Sequence, residues 1–472
     1  MRVGRSKVRA LLFGLTGLLF AAALAGCGDG TGTAPEPAAS GSTAATSATT
    51  VKPGLLTTTT AAPPLTTGTT PPTVTRVLDD AQKDRALASF SKGTAGYYYG
   101  SPLFRAGYVY IGTSSGPDSS PAPDNSFYRL DAGLKLLWEY PLGTDEVRGT
   151  ADLDGEGNVY FTVQSGRTKG DTSGAAVSVC SLDKYGKFRW KAPVIARGLV
   201  PADRPIELTV GGHVYVAGDA FYVLDLATGQ TIAKSPGVTN GSKPLMDSQG
   251  RVYVESATGT YCFTAEGRPV WSYQPKGDAY LGAVGYSSPA FQPGATRVIV
   301  LDANWIYALD SATGRLVWKF DTKARGETRA KPSVDDKGNI YVCTISEDGP
   351  STFSAVKADG SGLMWTRGGF GGAPGSPVIG DAGIVYFGTE GRLRDAAGTV
   401  VPGIHALDTA TGTISWEAVL DGDVADSPTM APDGTLYVAL TGDAGRPGMV
   451  VALASDSNGP LPNAGGVQLT DE

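Results

Sequence analysis

An all-β chain assembled from one repeated four-stranded unit is what this sequence predicts, on three observations. The composition sets 65 Gly and 31 Pro beside 20 Tyr and 7 Trp in 472 residues, which suits short strands joined by tight turns better than long helices. One phrase recurs, because "ALDSATGRLVW" at Ala308–Trp318 returns as "ALDTATGTISW" at Ala406–Trp416. The tryptophans keep step with it: Trp138, Trp190, Trp271, Trp318, Trp365 and Trp416 lie 52, 81, 47, 47 and 51 residues apart. The 81 is a double step whose missing member falls near Ala233 in "LDLATGQTIAKSP". A period of about 40–50 residues with four strands in each is the signature of a β-propeller.

At the N-terminus Arg2, Arg5, Lys7 and Arg9 precede the apolar run "ALLFGLTGLLFAAALAG" and then Cys27. That order is a secretory signal, with an apolar stretch too short and too rich in small residues at its end for a comfortable membrane span. "LAGC" at Leu24–Cys27 resembles the lipobox of bacterial lipoproteins, in which cleavage precedes a cysteine that is then acylated. The alternative is ordinary signal cleavage with an unused Cys27. Residues 1–26 are therefore expected to be a signal peptide, and 27–75 a lipidated cysteine followed by a tether. From Gly28 to Thr75 the chain is Thr, Ala, Pro, Gly and Ser with almost no charge, and nothing there offsets the entropy of folding. As a coil such a tether averages ~40 Å end to end.

The propeller is expected over 76–472. Its clearest unit, "SSPAF…TRVIVLDANWIYALDSATGRLVWKF" (Ser287–Phe320), reads as a short strand opening at Ser-Pro, a second strand, a third ending in Leu-Asp, a Thr-Gly turn and a fourth strand with Trp. Eight copies follow this order. Their first strands open at Pro102, Ala151, Pro205, Pro244, Pro289, Pro332, Pro377 and Pro428, and second strands such as "NVYFTV" and "HVYVAG" come about nine residues later. The eighth copy loses its pattern before a fourth strand. Residues near Ala86–Ser91 read as a fourth strand without a first, so they are expected to complete the last blade and close the ring, removing an open edge. The tail Gly465–Leu469 competes for that place. Trp305 reads as a residue just before the third strand, near a blade rim.

The form A-x-D-x-x-T-G-x-x-x-W, met in full at Ala308–Trp318 and Ala406–Trp416, resembles the tryptophan-docking motif of quinoprotein-type propellers, whose enzymes bind pyrroloquinoline quinone. The resemblance spans Ala86 to Gly459. In it, Asp accepts backbone N–H bonds, Gly permits positive φ, and Trp returns as an apolar plate. Six tryptophans at equivalent outer positions cannot all face the axis, so Trp138, Trp190, Trp271, Trp318, Trp365 and Trp416 are expected to rivet neighbouring blades and not to floor a cofactor site.

Chemistry is sparsely provided for. His213 and His405 are the only histidines, and they fall in the third and seventh copies, opposite each other. Cys180, Cys262 and Cys343 each sit in an apolar run without a C-x-x-C spacing, as buried small hydrophobes do. The acidic turns "DLDGEGN" and "VDDKGN" lack the ligand ladder of a calcium loop and occupy first hairpins, where Asp and Gly turn the chain. No catalytic or metal-ligating residue is assigned, no cofactor is expected, and pyrroloquinoline quinone with calcium enters only under the alternative of a quinone-dependent dehydrogenase of alcohols or sugars.

Insertions at 114–126, 164–176, 346–351, 390–403 and 441–448 all fall between second and third strands. One rim is thereby elaborated, and loops on a rigid scaffold are where recognition lives. Arg167, Lys169, Arg392 and Arg394 are its charged candidates for a partner. The formal charge of −7 without a Lys/Arg cluster argues against nucleic acid. The expectation is a monomeric, extracytoplasmic lipoprotein, anchored to a bacterial membrane through Cys27 and binding a protein or cell-envelope partner. In plan it is similar to the propeller lipoprotein of the outer-membrane assembly machinery.

Overall fold

The computed structural model describes residues 85–91, 100–114, 125–147, 149–165, 175–198, 207–208, 211–239, 241–275, 287–302, 304–323, 330–344, 351–372, 375–390, 403–420, 422–442 and 447–461. All of them lie in the second of two compact units, 69–472, so every described strand lies outside residues 1–68. Among the described residues, 32 strands group into eight antiparallel sheets of four. Apart from one short 3-10 turn at Pro293–Ala295, there is no helix among them. The expected eight-bladed propeller is what the chain forms.

Each first strand is short and follows its Pro directly in six blades, as at Ala290–Phe291 after Pro289 and Val378–Ile379 after Pro377. Proline suits this place because the first strand is the edge of its sheet, where a missing N–H breaks no ladder bond. The first strands of neighbouring blades approach one another around the axis, for example Leu103–Arg105 beside Thr429–Met430 and Ser333–Val334 beside Val378–Ile379. Second strands are buried but for an end residue, and wholly so in Val252–Ser256 and Ile340–Thr344. Fourth strands, such as Pro269–Tyr273, lie outermost and alternate between exposed and half-buried positions.

The core is a ring of interfaces. Eight apolar clusters occur, and each joins one blade to the next, from Tyr160–Val179 against Val214–Leu224 round to Val109–Leu134 against Ala431–Ala452. A blade thus buries its faces only on its neighbours, and stability is a sum of such contacts. The ring closes with Ala86–Phe90 antiparallel to Met449–Leu453, pairing Ala88 with Ala452 and Phe90 with Val450. The tail Gly465–Leu469 lies outside the described residues.

One expectation needs correcting. Trp305 does not precede the third strand of blade five; it opens it, paired with Asp302 and Asp321. Only Ala303 and Asn304 separate the two strands, and so tight a hairpin brings the ladder right up to its turn. The indole is half-buried, with the Lys319 ammonium 4.5 Å from its ring centre.

Candidate functional site

The repeated phrase builds a docking surface from its turn. Asp310 Oδ1 accepts the backbone N–H of Thr313 at 2.8 Å and its hydroxyl at 2.6 Å. Asp408 holds Thr411 in the same way, and Asp225 holds Thr228. The Thr313 and Thr228 hydroxyls hold the Asp310 and Asp225 carboxyls below the usual carboxylate range. The turn places Gly314 at φ +70° and bares the carbonyl of the residue after the Asp.

The tryptophan of the preceding blade lies on that glycine. A Cβ added at Gly186, Gly229, Gly314, Gly360 or Gly412 would stand 2.5–2.8 Å from the ring of Trp138, Trp190, Trp271, Trp318 or Trp365 respectively. Four indole N–H groups donate to the bared carbonyl: Trp138 to Lys184, Trp190 to Leu226, Trp271 to Ser311 and Trp365 to Thr409, at 2.8–3.2 Å. Trp318 and Trp416 find no acceptor for theirs among the described residues. Each of the six pairs with a third-strand residue just before a bulge, as Trp318 with Ala308. By the same register, Ala233 paired with Val223 and Ala88 paired with Ala452 occupy the tryptophan position of blades three and eight.

A second donor to the same carbonyl comes from the second strand. Tyr215 donates to Ala265 at 2.9 Å and Tyr437 to Ala132 at 2.8 Å, while the Tyr160, Tyr253 and Tyr341 hydroxyls lie 3.1–3.3 Å from the carbonyls of Leu226, Ser311 and Thr409. Blades three and eight therefore keep the tyrosine contact where the tryptophan is absent. Tyr160, Tyr253 and Tyr341 also meet Asp154, Asp247 and Asp335 at 2.8–3.0 Å. Those carboxylates take backbone N–H bonds on the other oxygen, as Asp154 does from Glu156 and Asn158. The acidic turns are thereby filled by the fold's own donors. Sequence reading missed these tyrosines, although the Val-Tyr pair at a fixed place in the second strand was the available signal.

At the axis, the residue before three of the prolines reaches the next blade. The Lys243 N–H donates to Ser288 Oγ at 3.2 Å, the Lys331 N–H to Ser376 Oγ at 2.8 Å and the Ser376 N–H to Ser427 Oγ at 2.7 Å. Thr429 Oγ1 donates to the Pro102 carbonyl at 2.7 Å across the closing seam. Ser-Pro is thus a hinge pin: serine staples the inner edge strand sideways, and proline leaves that edge without a stray donor. Packing is close here, since a Cβ on Gly375 would meet the Ser427 nitrogen at 2.1 Å.

The titratable groups are dispersed. His405 lies between Thr389 Oγ1 and Glu417 Oε1, each at 2.9 Å, and His213 is 3.3 Å from the Tyr215 hydroxyl in another blade. Cys180, Cys262 and Cys343 are free, buried thiols, and burial pushes each up to about 12. Glu255 is fully buried; desolvation, and next to it the charge of Asp302, holds its carboxyl well above the usual range. Among the described residues no three His, Cys, Asp or Glu side chains group as metal donors. Cys27, Arg167, Lys169, Arg392 and Arg394 lie outside the described residues.

Residues 175–400 match the family model described as outer membrane protein assembly factor BamB. A search of curated proteins finds none that matches the chain. Among solved structures, BamB from Moraxella catarrhalis is 17% identical, covering 79% of this chain and 97% of its own, with a TM-score of 0.57. A europium-containing methanol dehydrogenase is 16% identical over 79% of this chain and 93% of its own, with a TM-score of 0.55. A quinohemoprotein alcohol dehydrogenase from Pseudomonas putida HK5 is 15% identical over 82% and 77%, with a TM-score of 0.57. At such identities the likeness is one of fold, and it embraces an assembly factor and oxidoreductases alike.

Proposed function

We propose that this chain, a PQQ-like propeller similar to BamB, is a lipid-anchored extracytoplasmic module that binds a protein or cell-envelope partner and performs no chemistry of its own. Residues 1–26 direct export, Cys27 carries the lipid, 27–75 give reach, and the propeller over 76–472 does the binding as a monomer. One observation carries the reading. The polar groups that recur from blade to blade are engaged in holding blades together: indole N–H and tyrosine hydroxyl on the turn carbonyl, and serine hydroxyl on the inner strand. Recognition then falls to the rim bearing the long insertions, with Arg167, Lys169, Arg392 and Arg394 as its cationic contacts. Photo-crosslinkers placed beside Arg167 and Arg392 in the native envelope are expected to trap one dominant partner. That adduct should be lost when the four cations are reversed to Glu. Crosslinks spread evenly over many proteins, unchanged by the reversal, would count against a specific rim.

The second reading, a quinone-dependent dehydrogenase of alcohols or sugars, is favoured by the likeness to two dehydrogenase propellers. It predicts saturable quinone binding, which the first reading does not.

A further inference from the structure

The rim opposite the insertions carries a feature that the binding of a protein partner leaves unused. There, where third strands turn into fourth strands, exposed apolar side chains recur from blade to blade, Ile232, Val270, Leu316, Val317 and Leu363 included, and the two exposed aromatic rings stand on blade two beside the leucines of blade one: Leu136 43%, Leu137 46%, Tyr185 67% and Phe188 53% exposed. These last four form one patch. Leu136 and Leu137 run straight into Trp138, whose ring lies on Gly186 and whose N–H bonds Lys184, so the tip of blade two rests on blade one beside the two leucines. Leu87, 60% exposed on the neighbouring closing strand, extends the patch into blade eight.

Lysines interleave with these groups. Lys135, Lys184 and Lys187 are exposed, whereas Asp131 and Asp183 beside them are turned inward to accept the N–H groups of Lys135, Tyr185 and Lys187. Among the described residues of these hairpins, Glu156 on the inner one of blade two is the exposed acid. Blades six to eight reverse the balance on the same rim, with Asp336, Asp359, Asp381 and Asp433 exposed against Lys337 and Lys357. In a protein of net charge −7, the described residues of blades one and two thus present a cationic arc with two aromatic rings.

The described chain starts at this rim, on blade eight next to the arc, where Arg85 opens the closing strand and its carbonyl accepts the N–H of Ala454 at 2.8 Å. We infer that Leu136, Leu137, Tyr185 and Phe188 with Lys135, Lys184 and Lys187 seat the propeller on an anionic lipid surface, turning the insertion-bearing rim outward. Phe, Tyr and Leu immersed at the headgroup level, with ammonium groups on anionic phosphates, are the usual parts of interfacial binding. The lipid on Cys27 would hold the chain at one point, and the arc would add an electrostatic contact that orients the propeller on the surface. The orientation rests on the anchored reading above.

The test uses residues 69–472, which hold every described strand and neither Cys27 nor the apolar leader. Co-sedimentation is measured with vesicles of phosphatidylcholine alone and of phosphatidylcholine with phosphatidylglycerol. The expected result is binding only to the anionic vesicles. Lysine to glutamine changes at 135, 184 and 187 should weaken it about 5-fold each, high salt or Tyr185→Ser with Phe188→Ser should abolish it, and Asp336→Asn with Asp359→Asn should leave it intact. Equal binding to both vesicle types, binding to neither, or capture only by membranes that retain their proteins would overturn the proposal. Labelling of the full chain with a radioactive fatty acid, compared with Cys27→Ser, tests the anchor separately, so either can fail alone.

Discussion

At the scale of single residues, what matters is which side chain opposes which glycine. Trp190→Ala removes a plate packed on Gly229 and should cost about 3–5 kcal/mol. Gly229→Ala introduces a Cβ 2.5 Å from that ring at a φ of +73° and should cost about 1–3 kcal/mol. Combined, the two should cost clearly less than their sum, because the clash vanishes with the indole; guanidinium denaturation of the four proteins measures the coupling. Additive costs would mean that the ring and the turn do not share one contact. The thiols give an independent check: with burial pushing Cys180, Cys262 and Cys343 up to about 12, they should resist a thiol reagent at pH 8 in the folded 69–472 chain and all react once it is denatured. Glu255 gives a pH signature. Its raised carboxyl pKa means the folded state holds a proton that the unfolded state has released, so its contribution to stability is full below the ordinary Glu range and is lost as pH rises toward the folded pKa. Glu255→Gln should therefore raise the melting temperature near neutral pH and not in acid; an equal shift at both would refute the assignment. The Trp and the Gly were legible because their spacing repeats; the tyrosine and serine staples were not, because Tyr in a Val-rich strand and Ser before Pro read locally as strand former and turn former. Their partners lie a blade away.

At the scale of elements, the closing blade departs from the repeat in a way that tests it. Where five interfaces set a tryptophan over a glycine, the seam sets Ala88 toward Leu134, which occupies the turn position at φ +61° within the same apolar cluster. Small and large have changed places. Ala88→Trp, which would restore the repeat's usual residue, should therefore destabilise by about 1–3 kcal/mol through overpacking, and Leu134→Gly added to it should recover most of the loss. If Ala88→Trp alone stabilises, the size exchange is not the reason for the missing tryptophan. At the preceding interface, no turn connects the two outermost strands of blade eight, since one comes from each end of the fold. Arg85 fills the gap, its guanidinium 4.3 Å from the Trp416 ring centre and 3.0 Å from Asp456 Oδ1. Arg85 and Asp456 are both partly exposed, so Arg85→Ala should cost no more than about 1 kcal/mol. Deleting 85–91 instead bares the strand Met449–Leu453 and should abolish cooperative unfolding. The closing strand was readable in advance because a fourth-strand pattern without a preceding first strand has only one place to go in a ring. The side chains of its seam were not, since cation and carboxylate are 371 residues apart.

At the scale of the whole molecule, the disc has two unlike rims, and the account assigns recognition to the one with insertions and a lipid surface to the one where the described chain starts. Sequence located the insertions, because extra residues between regular strands are visible without coordinates, while the cationic arc stayed hidden until blades one and two stood side by side. The fold itself serves both assembly and oxidation in its structural neighbours, so function has to be decided at the axis. There the described serines bond the neighbouring backbone. The direct measurement is titration of residues 69–472 with pyrroloquinoline quinone and calcium by calorimetry, followed by dye-linked oxidation across alcohols and sugars. The account predicts no saturable binding and no dye reduction above the protein-free rate. Stoichiometric binding with turnover of any of these substrates would contradict it.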